Sequence, residues 1–235
     1  MENQTDTPEA AGDILQRIIG NFPKPSPSEE EEREYERKRL ARIAEDDWRD
    51  KAERARALWE CSNVPPRHAD FQIPKDGPWR NAYDSLESKI GSGFLYVLMG
   101  NRGTGKTQMA VAMIRAYTHQ HFRAGVYVKA LDVFIALREA YRKDGDAESR
   151  VINRFVSPEF LVIDAMEERG ETPFEDRLLN HIIDKRYDDC ADTLLITNQS
   201  LEYFATSVGA SIISRIHETG DKIICNWESF RKKTA

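Results

Sequence analysis

Within FLYVLMGNRGTGKTQMAVAMIRAY (94–117), four residues fall at the spacing G-x-x-x-x-G-K-[ST]: Gly100, Gly105, Lys106 and Thr107. Gly103 adds a third glycine to the loop. Each residue type has a part in gripping phosphate. Glycines let successive backbone N–H groups turn inward, and the N-terminus of a following helix adds partial positive charge. Lys106 is placed to reach β- and γ-phosphates, and the Thr107 hydroxyl to ligate Mg²⁺. The context agrees, because an apolar run precedes the loop and Met109, Ala112, Met113 and Ala116 follow at helical spacing. A chance glycine-rich turn would lack this register. The expected nucleotide-binding segment is therefore Gly100, Asn101, Arg102, Gly103, Thr104, Gly105, Lys106, Thr107 and Gln108.

A magnesium–triphosphate site wants a second carboxylate at the end of a neighbouring strand. FLVID (160–164) supplies Asp164. After the next apolar run, TLLITNQS (193–200) places Thr197 and Asn198 at a strand's end, where a polar side chain could touch the γ-phosphate or orient attacking water. Singly each signal is weak, since Asp after a strand is commonly a helix cap and Asn a turn residue. In this order behind a phosphate loop they form a set. The residue after Asp164 is Ala165, whose methyl cannot accept a proton.

The elements that must position these groups can be read from texture. Apolar β-prone runs at 94–99, 125–130, 159–163, 193–197 and 222–225 alternate with helical stretches, which predicts an α/β fold with a five-stranded parallel sheet between helices. Residues 29–60 lack Gly and Pro and start with acidic residues, which predicts one long helix. Its apolar residues are too sparse for a heptad seam, so it reads as a solvated, ion-paired helix or as a partner-binding arm. Before it, DILQRIIGNF sets Ile14, Leu15, Ile18 and Ile19 on one helical face, and PKPSPS reads as a linker. Three segments are expected: a flexible one at 1–28, a helical arm at 29–64, and a nucleotide-binding domain at 65–235 that starts near Arg67. The net charge of −6 argues against a uniformly basic nucleic-acid-coating surface, although a local basic groove stays open. No run reaches the roughly 20 apolar residues of a membrane span, and the N-terminus lacks signal-peptide character. Cys61, Cys190 and Cys225 form no CxxC pair and read as buried free thiols in a reducing cytoplasm.

With these motifs in place, the chain resembles the AAA+ ATPases, and among them the DnaC/DnaI helicase loaders and the related IstB transposition ATPases. The resemblance runs from about residue 65 to residue 231. It is carried by GNRGTGKT, FLVID, TPFEDRLLNHIIDKRYDDCADTLLITNQS, IISRI and the terminal NWESFR, the most family-specific of these. It implies a P-loop AAA+ core without a C-terminal helical lid, preceded by an N-terminal arm that binds a replicative, DnaB-type helicase. It implies ATP and Mg²⁺ as ligands, with Lys106 and Thr107 as the Walker A pair, Asp164 as the Walker B aspartate and Asn198 as sensor 1. Arg215 would be the arginine finger that reaches a neighbouring subunit's ATP, so self-association is expected; on residue type alone it would be a surface arginine. Single-stranded DNA would thread the assembly, with Tyr141 (beside Arg138 and Arg142), Thr172 and Phe174 as contacts. Tyr141 and Phe174 read equally well as ordinary packed aromatics.

The resemblance also gives Ala165 its meaning. Thr172 and Glu175 align without a gap, so the position where the family carries a water-polarising glutamate is alanine here. Losing a positioned general base costs about 10²–10⁴ in rate. The sequence therefore points to ATP as an assembly switch with slow turnover, unless Glu167 or Glu168 swings in. Alternatives are an IstB-like transposition helper, a non-hydrolysing AAA+ scaffold, or a small-molecule P-loop kinase, which Asn198 and NWESFR disfavour.

Overall fold

The computed structural model describes residues 27–142 and 145–231. The Ile14–Ile19 segment lies outside these residues. The described chain divides into two compact units, one up to Arg49 and one from Asp50.

The first unit comprises residues 27–28 and the first part of α1 (Glu29–Glu60). Ser28 starts this helix as a capping box: the Ser28 N–H donates to Glu31 Oε2 at 2.7 Å, and the Glu31 N–H to Ser28 Oγ at 3.3 Å. Up to Arg49 the helix is exposed and carries ion pairs one turn apart, including Lys38–Glu34 at 2.7 Å and Arg49–Asp46 at 2.7 Å. Tyr35 and Trp48 are each 71% exposed.

The second unit holds α2 (Pro66–Ala69), α3 (Pro78–Glu87), β1 (Leu95–Met99), α4 (Lys106–His119), β2 (Gly125–Lys129), α5 (Ala130–Tyr141), α6 (Gly145–Val156) and β3 (Phe160–Asp164). A 3₁₀ turn (Met166–Glu168), α7 (Pro173–Asp188), β4 (Asp192–Ile196), α8 (Leu201–Thr219) and β5 (Lys222–Ile224) follow. The five strands fall on the five predicted runs and form one parallel sheet in the order β2-β3-β4-β1-β5. Strands β3 and β4 are buried along their whole length, as a parallel sheet covered on both faces requires. One correction concerns adjacency: β3, which ends on Asp164, does not neighbour β1. Strand β4 lies between them, so Asn198 enters the site between the phosphate loop and Asp164.

Two apolar cores cover the two faces. On one, Met109, Met113, Tyr117 and Ile114 of α4 pack with Trp79, Phe94, Phe160 and Val162, and Trp59 from the last turn of α1 packs against them. On the other, Val133, Phe134 and Leu137 of α5 meet Leu178, Ile182, Phe204 and Ile212 of α7 and α8. Edge strand β2 is covered, because the Tyr127 N–H donates to Ser62 O at 2.8 Å and the Asn63 side chain to Tyr127 O at 3.1 Å. Two buried charges pin the ends of strands. Asp192 accepts the N–H groups of Gly91, Gly93 and Phe94 at 2.5–2.9 Å, and burial pushes its carboxyl up to about 6. Arg186 donates to the carbonyls of Phe155, Val156 and Pro158, and burial pulls it down to about 9. Helix α8 bends at Gly209, whose φ of 83° is left-handed. Of the three cysteines only Cys225 is buried; Cys61 and Cys190 are exposed, against the expectation, because each lies just past a helix rather than under one.

Candidate nucleotide-binding site

The carboxyl ends of β1, β3 and β4 open into one cleft of roughly 750 Å³, the place where a parallel sheet presents its strand-end loops. Gly100, Gly103 and Gly105 have φ of 129°, 89° and 80°, so the loop needs three left-handed residues in six. Two of these are also sterically required. A Cβ on Gly100 would sit 2.5 Å from Cys225 O, and one on Gly105 would lie 2.8 Å from Trp79 Nε1.

Lys106 opens α4 and is 6% exposed. Its ammonium folds back onto the loop, donating to Gly100 O at 2.7 Å and Asn101 O at 2.8 Å. Burial lowers its pKa, opposed by the nearby Cys225, Asp164 and Glu167. The next residue, Thr107, donates its hydroxyl to Asp164 Oδ2 at 2.8 Å, so the two predicted metal ligands meet across 57 positions of sequence. Tyr127 donates to the same oxygen at 2.7 Å, and the Ala165 N–H takes Asp164 Oδ1 at 2.7 Å. Burial and the adjacent Asp164 charge raise the Tyr127 pKa, so the phenol stays a donor. Asn198 lines the cleft from the end of β4.

Several lining residues were not legible as site residues. Tyr127 reads as one more core aromatic of β2. His68 reached the cleft from a segment that read only as a domain start; its pKa is lowered by burial, against the Asp164 charge. The terminal Trp–x–Ser–aromatic–Arg motif turns out to fold over the phosphate loop. Trp227 Nε1 donates to Thr104 O at 2.7 Å, the Phe230 N–H to Gly103 O at 2.9 Å, and Ser229 Oγ stands where a Cβ of Gly103 would go. Arg231 lines the cleft beside Phe230.

Other predicted residues lie away from the cleft. Arg215 is tied to its own chain: it pairs with Asp184 at 3.0 Å, stacks over Tyr187 at 5.3 Å and donates to Ser211. Thr172 is the N-cap of α7, accepting from the Glu175 N–H at 3.3 Å. Phe174 packs partly into the core and edge-on against Tyr141 at 5.8 Å, while Tyr141 is 65% exposed. Arg138 is engaged by the buried Glu175.

A phosphate loop on β1, an acidic end on β3, a polar end on the intervening β4 and helices on both faces define a P-loop ATP-binding domain of the AAA+ type. The chain belongs to the IstB-like ATP binding protein family, whose pattern matches residues 90–235. Over nearly its whole length it is similar to the replicative helicase loader DnaC of Escherichia coli (strain K12). That match is 23% identical over 236 aligned residues and covers 94% of this chain and 96% of the relative. A crystal structure of the DnaC helicase loader superposes with a TM-score of 0.59 at 21% identity, over 68% of this chain and 99% of that one. The AMPPCP-bound DnaA of Aquifex aeolicus superposes at 0.58 and 18% identity, over 71% and 52%. Among the described residues no helix is long and apolar enough to cross a membrane.

Proposed function

We propose that this chain is an ATP-dependent helicase loader that binds a replicative DnaB-type helicase and single-stranded DNA, with ATP acting mainly as a switch for assembly. The observation that carries this reading is the reach of the DnaC likeness, which extends beyond the nucleotide-binding domain into the N-terminal region.

The site residues divide the work. Loop amides 100–107 and Lys106 hold the triphosphate. The Thr107 hydroxyl and the Asp164 carboxylate, hard oxygen donors already 2.8 Å apart, fit Mg²⁺. Held there, the ion would offset the negative charge of the phosphate oxygens. Asn198 senses the γ-phosphate. Arg215 acts on a neighbouring subunit's nucleotide after giving up Asp184, so self-association and finger release are one event. Residues 29–64, with 1–28, form the helicase-binding arm. Tyr141 and Phe174 are the weaker DNA contacts, and Thr172 supports them by capping α7. With alanine at 165, turnover is slow.

The test is co-purification of the full-length chain with the replicative helicase of its own host, with and without MgATP. Capture is expected, and removal of residues 1–49, which stops at the boundary of the second unit, is expected to abolish it while leaving ATP binding intact. Capture of a transposase in place of the helicase would favour the transposition-helper reading. Steady-state hydrolysis is expected to rise in Ala165→Glu; equal rates in wild type and variant would overturn slow turnover.

A further inference from the structure

Three carboxylates line the cleft: Asp164, Glu167 and Glu168. Asp164 is already engaged, with Oδ2 accepting from Thr107 and Tyr127 and Oδ1 from the Ala165 N–H, and is kept for the metal side of the site. Glu168 is exposed. Glu167 is different, because the fold brings it to the residue that would sense the γ-phosphate. Its Oε1 accepts the Asn198 side-chain amide at 2.5 Å, and its Oε2 accepts the Asn198 backbone N–H at 3.2 Å and the Thr197 hydroxyl at 3.3 Å.

The chain path explains how a residue three positions past Asp164 gets there. Ala165 adopts left-handed backbone, φ 55° and ψ 50°, and caps the 3₁₀ turn Met166–Glu168. Met166 is buried and anchors that turn, and the Glu168 N–H closes it on Ala165 O at 2.9 Å. A non-glycine residue there is strained, and such strain persists where surrounding contacts hold it. The charge of Glu167 also acts on Lys106, which puts it in the field of the group that grips phosphate.

We infer that Glu167 is the general base of the slow hydrolysis, standing in for the carboxylate that position 165 lacks. Its Oε2 is held by a backbone amide and a hydroxyl, so the Asn198 side chain can leave Oε1 for the γ-phosphate without releasing the carboxylate. Oε1 then takes a proton from water as the water oxygen bonds to the γ-phosphorus. The bond from that phosphorus to the β,γ-bridging oxygen breaks, and ADP leaves with the electron pair. The proton passes to solvent with the phosphate. This rests on the ATP-binding part of the proposed function and not on the identity of any partner.

The experiment compares wild type, Glu167→Gln and Glu168→Gln as full-length proteins in MgATP. It measures nucleotide affinity, single-turnover hydrolysis, and whether the nucleotide retained after gel filtration is ATP or ADP. Glu167→Gln is expected to lower the rate by about 10²-fold or more, the usual effect of removing a positioned base, and to retain ATP. Its affinity and Tm are expected to match wild type. Glu168→Gln is expected to lower the rate far less than Glu167→Gln, and Ala165→Glu in the Glu167→Gln background to restore turnover. Equal turnover in wild type and Glu167→Gln would overturn the inference while leaving ATP binding standing, as would a wild type that binds ATP and never cleaves it. A wild type that binds no ATP would sink the proposed function as well.

Discussion

Two turns frame the cleft, and they use left-handed backbone in opposite ways. The loop at 100–105 places glycine at each such position, with φ of 129°, 89° and 80°. The turn at 165–171 uses Ala165 (φ 55°) and Glu171 (φ 48°), which keep their side chains. In the first turn the backbone of Cys225 and the rings of Trp79 and Phe230 approach so closely that a Cβ has no room at Gly100 or Gly105. In the second, side chains justify the strain: the Glu171 carboxylate accepts from Ser207, Tyr203 and Gln199. Glycine thus marks where atoms must be absent. A strained side chain marks where a partner distant in sequence holds it in place.

Four substitutions test this contrast. The largest effect is expected for Gly100→Ala, which meets Cys225 O at 2.5 Å in backbone that L-residues avoid; a loss on the order of 3 kcal/mol, read by chemical unfolding, is expected. Unchanged stability would break the steric account of the loop. Next is Lys106→Ala, which removes the ammonium proposed to grip phosphate and is expected to weaken MgATP binding by about 100-fold in a nucleotide titration. Tyr127→Phe leaves the packing and takes one donor from Asp164 Oδ2. With Asp164 as the proposed metal ligand, such a support is worth about 10-fold or more, so the Mg²⁺ midpoint of nucleotide binding is expected to rise by that factor. The smallest effect has the opposite sign: Ala165→Gly relieves left-handed strain, and after glycine's greater unfolded-state entropy the net gain is up to about 1 kcal/mol. A lower Tm in that variant would mean that the alanine methyl makes contacts worth more than the strain.

The same contrast explains how much was readable in the sequence. The five strands were legible because a parallel sheet covered on both faces demands unbroken apolar runs, and FLVID and TLLI are such runs. The meeting of Lys106, Thr107 and Asp164 in one cleft was legible because the proposed phosphate chemistry restricts both residue type and spacing. The insertion of β4 between β1 and β3 was not, since strand order depends on which helix covers which face. The Tyr127–Asp164 bond was hidden because a tyrosine in a strand serves the core equally well. The posture of Glu167 depends on Asn198, 31 residues away, and on a backbone reversal that alanine does not advertise. Arg215 was flagged by family pattern, and its tether to Asp184 and Tyr187 depends on how α7 and α8 pack.

The clasp over the phosphate loop has a practical consequence. Two of the four tryptophans, Trp79 and Trp227, donate their indole N–H groups to carbonyls of consecutive P-loop residues, Gly105 and Thr104. Their ultraviolet emission is therefore expected to report on that loop when a nucleotide is titrated in. A label-free optical readout of occupancy is the expected outcome, and Trp227→Phe would show how much of that signal the C-terminal indole carries.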